Sequence, residues 1–523
     1  MRREDASGSH RALRATMTVF LGMTIMLILS IFFSLLEVIH YFSIKKETQL
    51  LTDIGTESMF ADYCRPLWKK YEILGIDGGY GGSSLDLSMT EGRLADYLLE
   101  NVSLEEGMKG SHHLMLGTEE CKVDSYGLLT DGGGAPFMKE CAKAALYGIP
   151  DGIIDALQGH SREMQGKDYH WEDSLGEGQE AYEEALREKE RIEEQRREEA
   201  RARAEAGIEG DYSEPEEVWT ETALTKEEAI SAGNPISMVY EFKNNGILRQ
   251  VLPEGAISRR KLLADPPVSR RRLASGNLGK TPSISVTDKA LFEYYLMEHF
   301  GSYTEPKKRK GLQYELEYVV GKDDSDDANL EKTIEKLLVY RGAMNLPVLM
   351  SDPRRMGEAH AVAVALAGAS LNPALVEIVY AGIVAAWVYI ESVMDVRALL
   401  AGDKIAITKS HAQWTSEILA LPACLSVNAR AMPSTQGVDY RGCLVAMLTI
   451  TSKEEAGMRA MDLIENEIRL HNGYRDVRLD NFIYAAKLHY RYLGVPIFGS
   501  LVSVGQPMDQ YRFEQDKSMS YLE

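Results

Sequence analysis

Polar and apolar residues are sorted most sharply at the start of the chain. From Ala15 to Leu36, 22 residues carry no charge, and Glu37 and His40 then interrupt the apolar tail. As a helix this run would span roughly 33 Å at about 1.5 Å per residue, enough for a hydrocarbon core of about 30 Å. A secretory signal has a shorter apolar core of about 7–15 residues and a small-x-small cleavage site. Here the next residues are Glu37-Val38-Ile39-His40-Tyr41-Phe42. The pattern therefore predicts a retained transmembrane helix over 15–44, with 1–14 as a tail. Ile39, Phe42, Leu50, Ile54, Met59 and Tyr63 continue at helical spacing, and no proline intervenes before Pro66. One helix is expected to run from the membrane into a stem over 45–74.

Flanking charge sets the expected orientation. Arg2, Arg3, Arg11 and Arg14 precede the run, while Lys45 and Lys46 follow it. That balance puts the N-terminus in the cytoplasm and the bulk of the chain outside a single-pass anchor in the lipid bilayer. A second apolar stretch, Asn372–Leu400, is broken by Glu377, with Glu391, Asp395 and Arg397 close behind. Its longest uncharged piece suits a buried core helix better than a span.

The remainder reads as an α+β body. A membrane-proximal part over 75–172 holds a helix at "TEGRLADYLLENV", a strand at "CKVDSYGLL" and a helix from Pro136 to Leu157. Residues 173–231 are polar on every side of a helix, with Glu183–Arg187, Glu193–Arg197 and Glu199–Arg203 at the favourable i,i+4 spacing. That describes a charged helical or disordered linker. The part over 232–523 alternates strand-like "ISMVYEFKNNGIL" and "LQYELEYVV" with helices at 287–300, 328–345, 354–367, 373–400, 410–419 and 452–471. It closes on a strand at "NFIYAAKLHYRYLG".

Net charge is −21, which disfavours a nucleic-acid partner. Five scattered cysteines, with no CxxC pair, predict free thiols, a Cys121–Cys141 bridge being the alternative. Ala274–Thr281 ("ASGNLGKT") matches a loose phosphate loop but follows "DPPVSRRRL" rather than a strand, so no nucleotide is expected. "KDDSDDANLE" lacks the glycine and glutamate of a calcium loop and suits a helix start capped by Asp326 or Asp327. "TDGGGAPF" is a flexible turn into a helix and a weak anion site, and His112-His113 point to opposite faces in a strand. Arg259-Arg260-Lys261 and Arg270-Arg271-Arg272 form a basic loop expected to balance charge locally. No nucleophile with its base is nominated, so the expectation is a non-enzyme without cofactor or metal.

The stem "LSIFFSLLEVIHYF", an apolar helix with a late glutamate, resembles the TadE/TadG-like pseudopilins of tight-adherence pilus machinery. Glu37 matches the glutamate near the end of that family's stem. "SMFADY" (Ser58–Tyr63) and "YEILGID" (Tyr71–Asp77) look more specifically like a large uncharacterised family of membrane-anchored proteins from Gram-positive anaerobes. "SYGLLTDGGGAPF", "YELEYVVGKDDSDDANL", "ESVMDVRALLAGDKIAITKS" and "VDYRGCLVAMLTITSKEEAGMRAMDLIENEIR" resemble the same family. The likeness does not reach the prepilin cleavage pattern, because Met23-Thr24-Ile25-Met26-Leu27 after Gly22 contains no glutamate. It implies a structural or accessory part in a surface assembly, with pilus or secretion subunits as partners and Glu37 as a registry or partner contact. The alternative is a stand-alone tethered protein whose outer body binds a wall or extracellular ligand.

Overall fold

A computed structural model describes residues 5–102, 116–146, 148, 171–206, 224–253, 255, 257–263, 266–498 and 510–522. Contacts divide the chain into two units, one built from residues 1–144, 270–284 and 468–523, the other from 145–269 and 285–467. Helices dominate, accompanied by one small antiparallel sheet.

The first unit joins α1 (Asp5–Ala61), α2 (Leu87–Val102) and α3 (Asp131–Ala145) to strands β1 (Ile76–Asp77), β2 (Leu116–Leu128), β3 (Phe482–Gly494) and β4 (Tyr511–Ser520). The expected continuous helix is present but ends at Ala61, short of the 45–74 stem, and is about 85 Å long at about 1.5 Å per residue. It stops just before Pro66, which sits in the first turn of a short helix, Arg65–Tyr71. β3 is central. Ile483 pairs with Leu128 of β2 on one edge and with Ile76 of β1 on the other, and β4 continues that second edge from Ala485 to Gly494.

Alternation along β3 sorts its two faces. Ala486, Leu488, Tyr490 and Tyr492 are buried with Ile44, Leu51, Met59 and Phe60 of α1 in one cluster. The opposite face carries Lys487, His489 and Arg491, set against acids on both neighbouring strands. Lys487 meets Asp124 at 3.1 Å, His489 meets Asp516 at 2.8 Å, and Arg491 meets Glu120 at 3.1 Å and Glu514 at 3.5 Å. Such opposite-charge cross-strand pairs fix the register of the ladder. Gly55 lets α2 close on the stem, since a Cβ there would lie 2.9 Å from Leu98 Cδ2.

The second unit holds α4 (Trp171–Glu205), α5 (Pro235–Lys243), α6 (Val286–His299), α7 (Glu315–Gly321), α8 (Asp326–Met350), α9 (Pro353–Ala367), α10 (Pro373–Leu400) and α11 (Tyr440–Ile450). It also holds nearly all of α12 (Lys453–Arg469). The rival apolar stretch is its core helix. Every residue of α10 from Gly382 to Leu400 is buried, against α4, α5, α8 and α9.

Four expectations are corrected here. The charged stretch after residue 172 is not a linker throughout: Trp171, Leu175, Gly178, Ala181 and Ala185 form a buried stripe on α4, and only the part beyond Ala185 is solvated. Its Gly178, Ala181 and Ala185 add little hydrophobicity, yet they let α4 lie close against α10. "ISMVYEF" is helix, because Asn234 accepts hydrogen bonds from the Ile236 and Ser237 amides and Pro235 occupies the first turn. "YELEYVV" is helix too. Its alternation carries no inside–outside signal, since Glu315, Leu316, Glu317 and Tyr318 are all buried. Residues 410–419 form only short 3₁₀ turns, with the Thr415 and Ser416 amides drawn to the Glu391 carboxylate.

The α4–α10 crossing yields a prediction with a sign. A Cβ on Gly178 would sit 2.7 Å from the Gly382 Cα. Helix propensity alone favours alanine there by about 1 kcal/mol, whereas overpacking costs about 1–3 kcal/mol. Gly178→Ala should therefore lower unfolding stability in denaturant titration; an unchanged or raised midpoint would show that the helices are not in contact at this point.

Candidate functional site: the junction of stem and sheet

The long helix changes character partway along. From Met17 to Phe32 its large apolar side chains are bare, Met26 being 75% exposed, while Ile44, Thr48, Thr52 and Thr56 are almost wholly buried. A helix of this length and apolarity is able to cross a membrane. Threonines at i,i+4 spacing share one face, and that face meets the sheet.

The threonines act as a polar clamp. Thr52 Oγ1 donates to the Thr48 carbonyl at 2.7 Å, and Thr56 Oγ1 donates to the Thr52 carbonyl at 2.7 Å. With each hydroxyl proton so used, the oxygen is left to accept from a tyrosine. Tyr492 Oη lies 2.9 Å from Thr52, and Tyr490 Oη lies 2.7 Å from Thr56. Burial raises both phenols, that of Tyr492 to about 12, so they remain protonated donors. Leaving any of these buried groups unpaired would cost about 1–3 kcal/mol, which ties the register of the helix to that of β3.

Glu37 lies at the upper end of this junction and is 7% exposed. Its carboxylate accepts from the Tyr511 hydroxyl at 2.8 Å and from the Phe498 backbone N–H. His40 Nε2 donates to the Val495 carbonyl at 3.1 Å. Tyr41 packs edge-on against Tyr511, with centroids 5.2 Å apart. The two polar residues that break the apolar tail are thus consumed within the unit. Ala15 and Leu36, the ends of the uncharged run, both lie within α1.

A second polar centre, absent from the expectations above, is buried in the second unit. Asp395 meets Arg341 Nε at 2.8 Å and Lys409 Nζ at 2.5 Å, and Lys409 also pairs with Glu391. Asn345 donates to Asp395, Ser416 donates to Glu391, and Trp387 donates to Ser416. Burial would raise the Asp395 carboxyl, but Arg341 and Lys409 hold it below the ordinary value. Two cations against two anions leave no net charge, while Arg341 Nη2 and Asn345 Oδ1 are buried without a hydrogen-bond partner. This is a centre that fixes packing; removing one partner would strand a buried charge. The signal was available in the family-like stretch "ESVMDVRALLAGDKIAITKS", where Glu391 and Asp395 share a helix face at i,i+4.

The motif candidates resolve individually. Ala274–Thr281 is a loop in which Asn277 and Leu278 donate their amides to the Tyr126 carbonyl, and no helix opens at Lys280. In "TDGGGAPF" the anion position is filled by the chain itself, with Asp131 accepting from the Leu128 and Gly276 amides. Asp326 begins α8 but does not cap it. Its carboxylate instead accepts from the Gln313 and Tyr314 amides and from Ser258. Among the described residues no group of three or more His, Cys, Asp or Glu is arranged to hold a metal. All five cysteines are free thiols. Of the basic loop, Arg271 pairs with the buried Asp480, and Arg260 donates to the Arg309 and Gly311 carbonyls. His112-His113 lie outside the described residues.

A family model described as a family of unknown function, DUF5702, matches residues 225–494, just over half of the chain. The protein belongs to that family. No curated protein and no solved structure matches it.

Buried acids make the stability pH-dependent. Burial raises Glu315 and Glu317 to about 7 from 4.5, with Arg309 opposing the shift at Glu315, and raises Asp462 to about 6 from 3.8. The folded chain therefore holds more protons than the unfolded chain over this window. That stabilisation is complete below about pH 4 and is lost as pH rises through about 7. Denaturant unfolding followed by tryptophan fluorescence should show stability falling over that interval, with a shallower slope in Glu317→Gln. A stability that climbs with pH there would contradict the assignment.

Proposed function

We propose that the protein is a single-pass membrane protein with a cytoplasmic N-terminus and an extracytoplasmic body. It is non-enzymatic and serves as a pseudopilin-like accessory or structural component of a tight-adherence or type II-like surface assembly. The observation that carries this reading is α1 itself. One unbroken helix offers a bare apolar half and then binds a sheet through Thr52, Thr56, Tyr490 and Tyr492. A mere tether needs no such coupling, whereas a subunit that is positioned by its stem does. The excess of arginine before the apolar run supports the orientation, and the likeness of the stem to TadE/TadG-like proteins supports the assembly.

A second reading has its own support. A cleft of about 610 Å³ in the second unit is lined by Val339, Tyr340, Met447 and Ile450, with Lys336 and Arg459 at its edge. A stand-alone surface protein would use such a cleft for a wall or extracellular ligand.

The two are separated by a photocrosslinking residue in place of Met26, installed in the native cells. The assembly reading expects protein adducts of discrete mass, lost when residues 15–36 are exchanged for an unrelated uncharged helix of equal length. Adducts with lipid alone would reject it in favour of the tethered protein.

A further inference from the structure

We infer that the start of the β3–β4 connection, Val495–Phe498, is a second membrane contact, seated against lipid chains beside the anchor. This rests on the reading of α1 as a membrane span.

The position of Phe498 comes first. Its ring stacks on Phe33, with centroids 6.1 Å apart and planes 14° from parallel. Phe33 belongs to the uncharged run that ends at Leu36, so if that run fills the hydrocarbon core, Phe33 lies about 5 Å inside its outer edge. Phe498 is carried to the same depth. The neighbouring surface is a continuous apolar collar, with Val38, Ile39, Phe42 and Val495 all exposed. Val495-Pro496-Ile497-Phe498 itself contains no charged residue.

Backbone chemistry supplies the second argument. Irregular chain at bilayer depth has no water for its N–H and C=O groups, and each unmet group costs several kcal/mol. The segment leaves the ladder at Gly494, and its two ends are met by side chains of the anchor. His40 donates to the Val495 carbonyl, and Glu37 accepts the Phe498 N–H. Both side chains are buried, at 6% and 7% exposure. In water the same pairings would add little, because solvent would serve both groups. At the rim of a bilayer they meet the first carbonyl and the last N–H of the segment and lower the cost of a carboxylate and an imidazole there. The two residues that break the apolar tail are therefore placed where a lipid-seated loop needs them.

The test uses the full chain in phosphatidylcholine liposomes, with partly exposed Cys121 replaced by serine and a nitroxide attached at Ile497→Cys or, separately, at Met26→Cys. Collision with dissolved oxygen reports lipid, and collision with a nickel chelate reports water. The inference expects oxygen to dominate at both positions. Nickel dominating at Ile497 while oxygen dominates at Met26 would overturn it and leave the anchor intact. Nickel dominating at both would remove the anchor reading, and this inference with it.

Discussion

The structure depends on one helix meeting two environments. From Met17 to Phe32 the large apolar side chains of α1 are exposed, whereas from Ile44 to Phe60 one face of the helix is buried against the sheet. Joining the two requires that the buried half be held in one register, which hydrophobic contact alone defines loosely. The Thr52–Tyr492 and Thr56–Tyr490 pairs orient that face, because turning the threonines away from the sheet would break both and leave buried hydroxyls unpaired. Glu37 and His40 extend the same logic beyond the sheet, satisfying the backbone where β3 runs out.

The second unit solves a different problem with similar means. Its core helix, α10, is apolar enough to resemble a span, yet it carries Glu391, Asp395 and Arg397 into the interior. Arg341 and Lys409 balance the two acids, while Arg397 is spent on the carbonyls of Gln250, Cys424, Leu425 and Ala429. Where α4 crosses, glycine meets glycine and Trp171 packs at a tilt against Tyr389 with centroids 4.3 Å apart. Charge pairing and small residues, rather than bulk hydrophobicity, specify how these helices meet.

What could be read from the sequence follows the same division. The long apolar helix, its continuation past the apolar run, β2, β3 and most long helices are legible, because their periodicity is strong and their inside–outside contrast is clear. The α4 stripe was not, since Gly178, Ala181 and Ala185 carry little hydrophobic weight among so many charges. In α7 the alternation of Glu and apolar residues imitates a half-exposed strand, although both sets are buried. Glu37 was legible as an unusual residue, but its partners lie more than 450 positions away, at Phe498 and Tyr511. No local pattern supplies that pairing. The Arg341–Asp395–Lys409 centre was hidden for the same reason, three segments converging through tertiary structure alone.

The account stands on the stem and the sheet behaving as one rigid element. Hydrogen exchange on the detergent-solubilised full chain tests this most directly. Amides from Thr48 to Phe60 should be protected to the same degree as those from Tyr484 to Tyr492, and both sets should open together as denaturant is raised. Fast exchange in the stem while β3 stays protected would mean that the helix is a loose tether, and the coupling between anchor and body would be refuted.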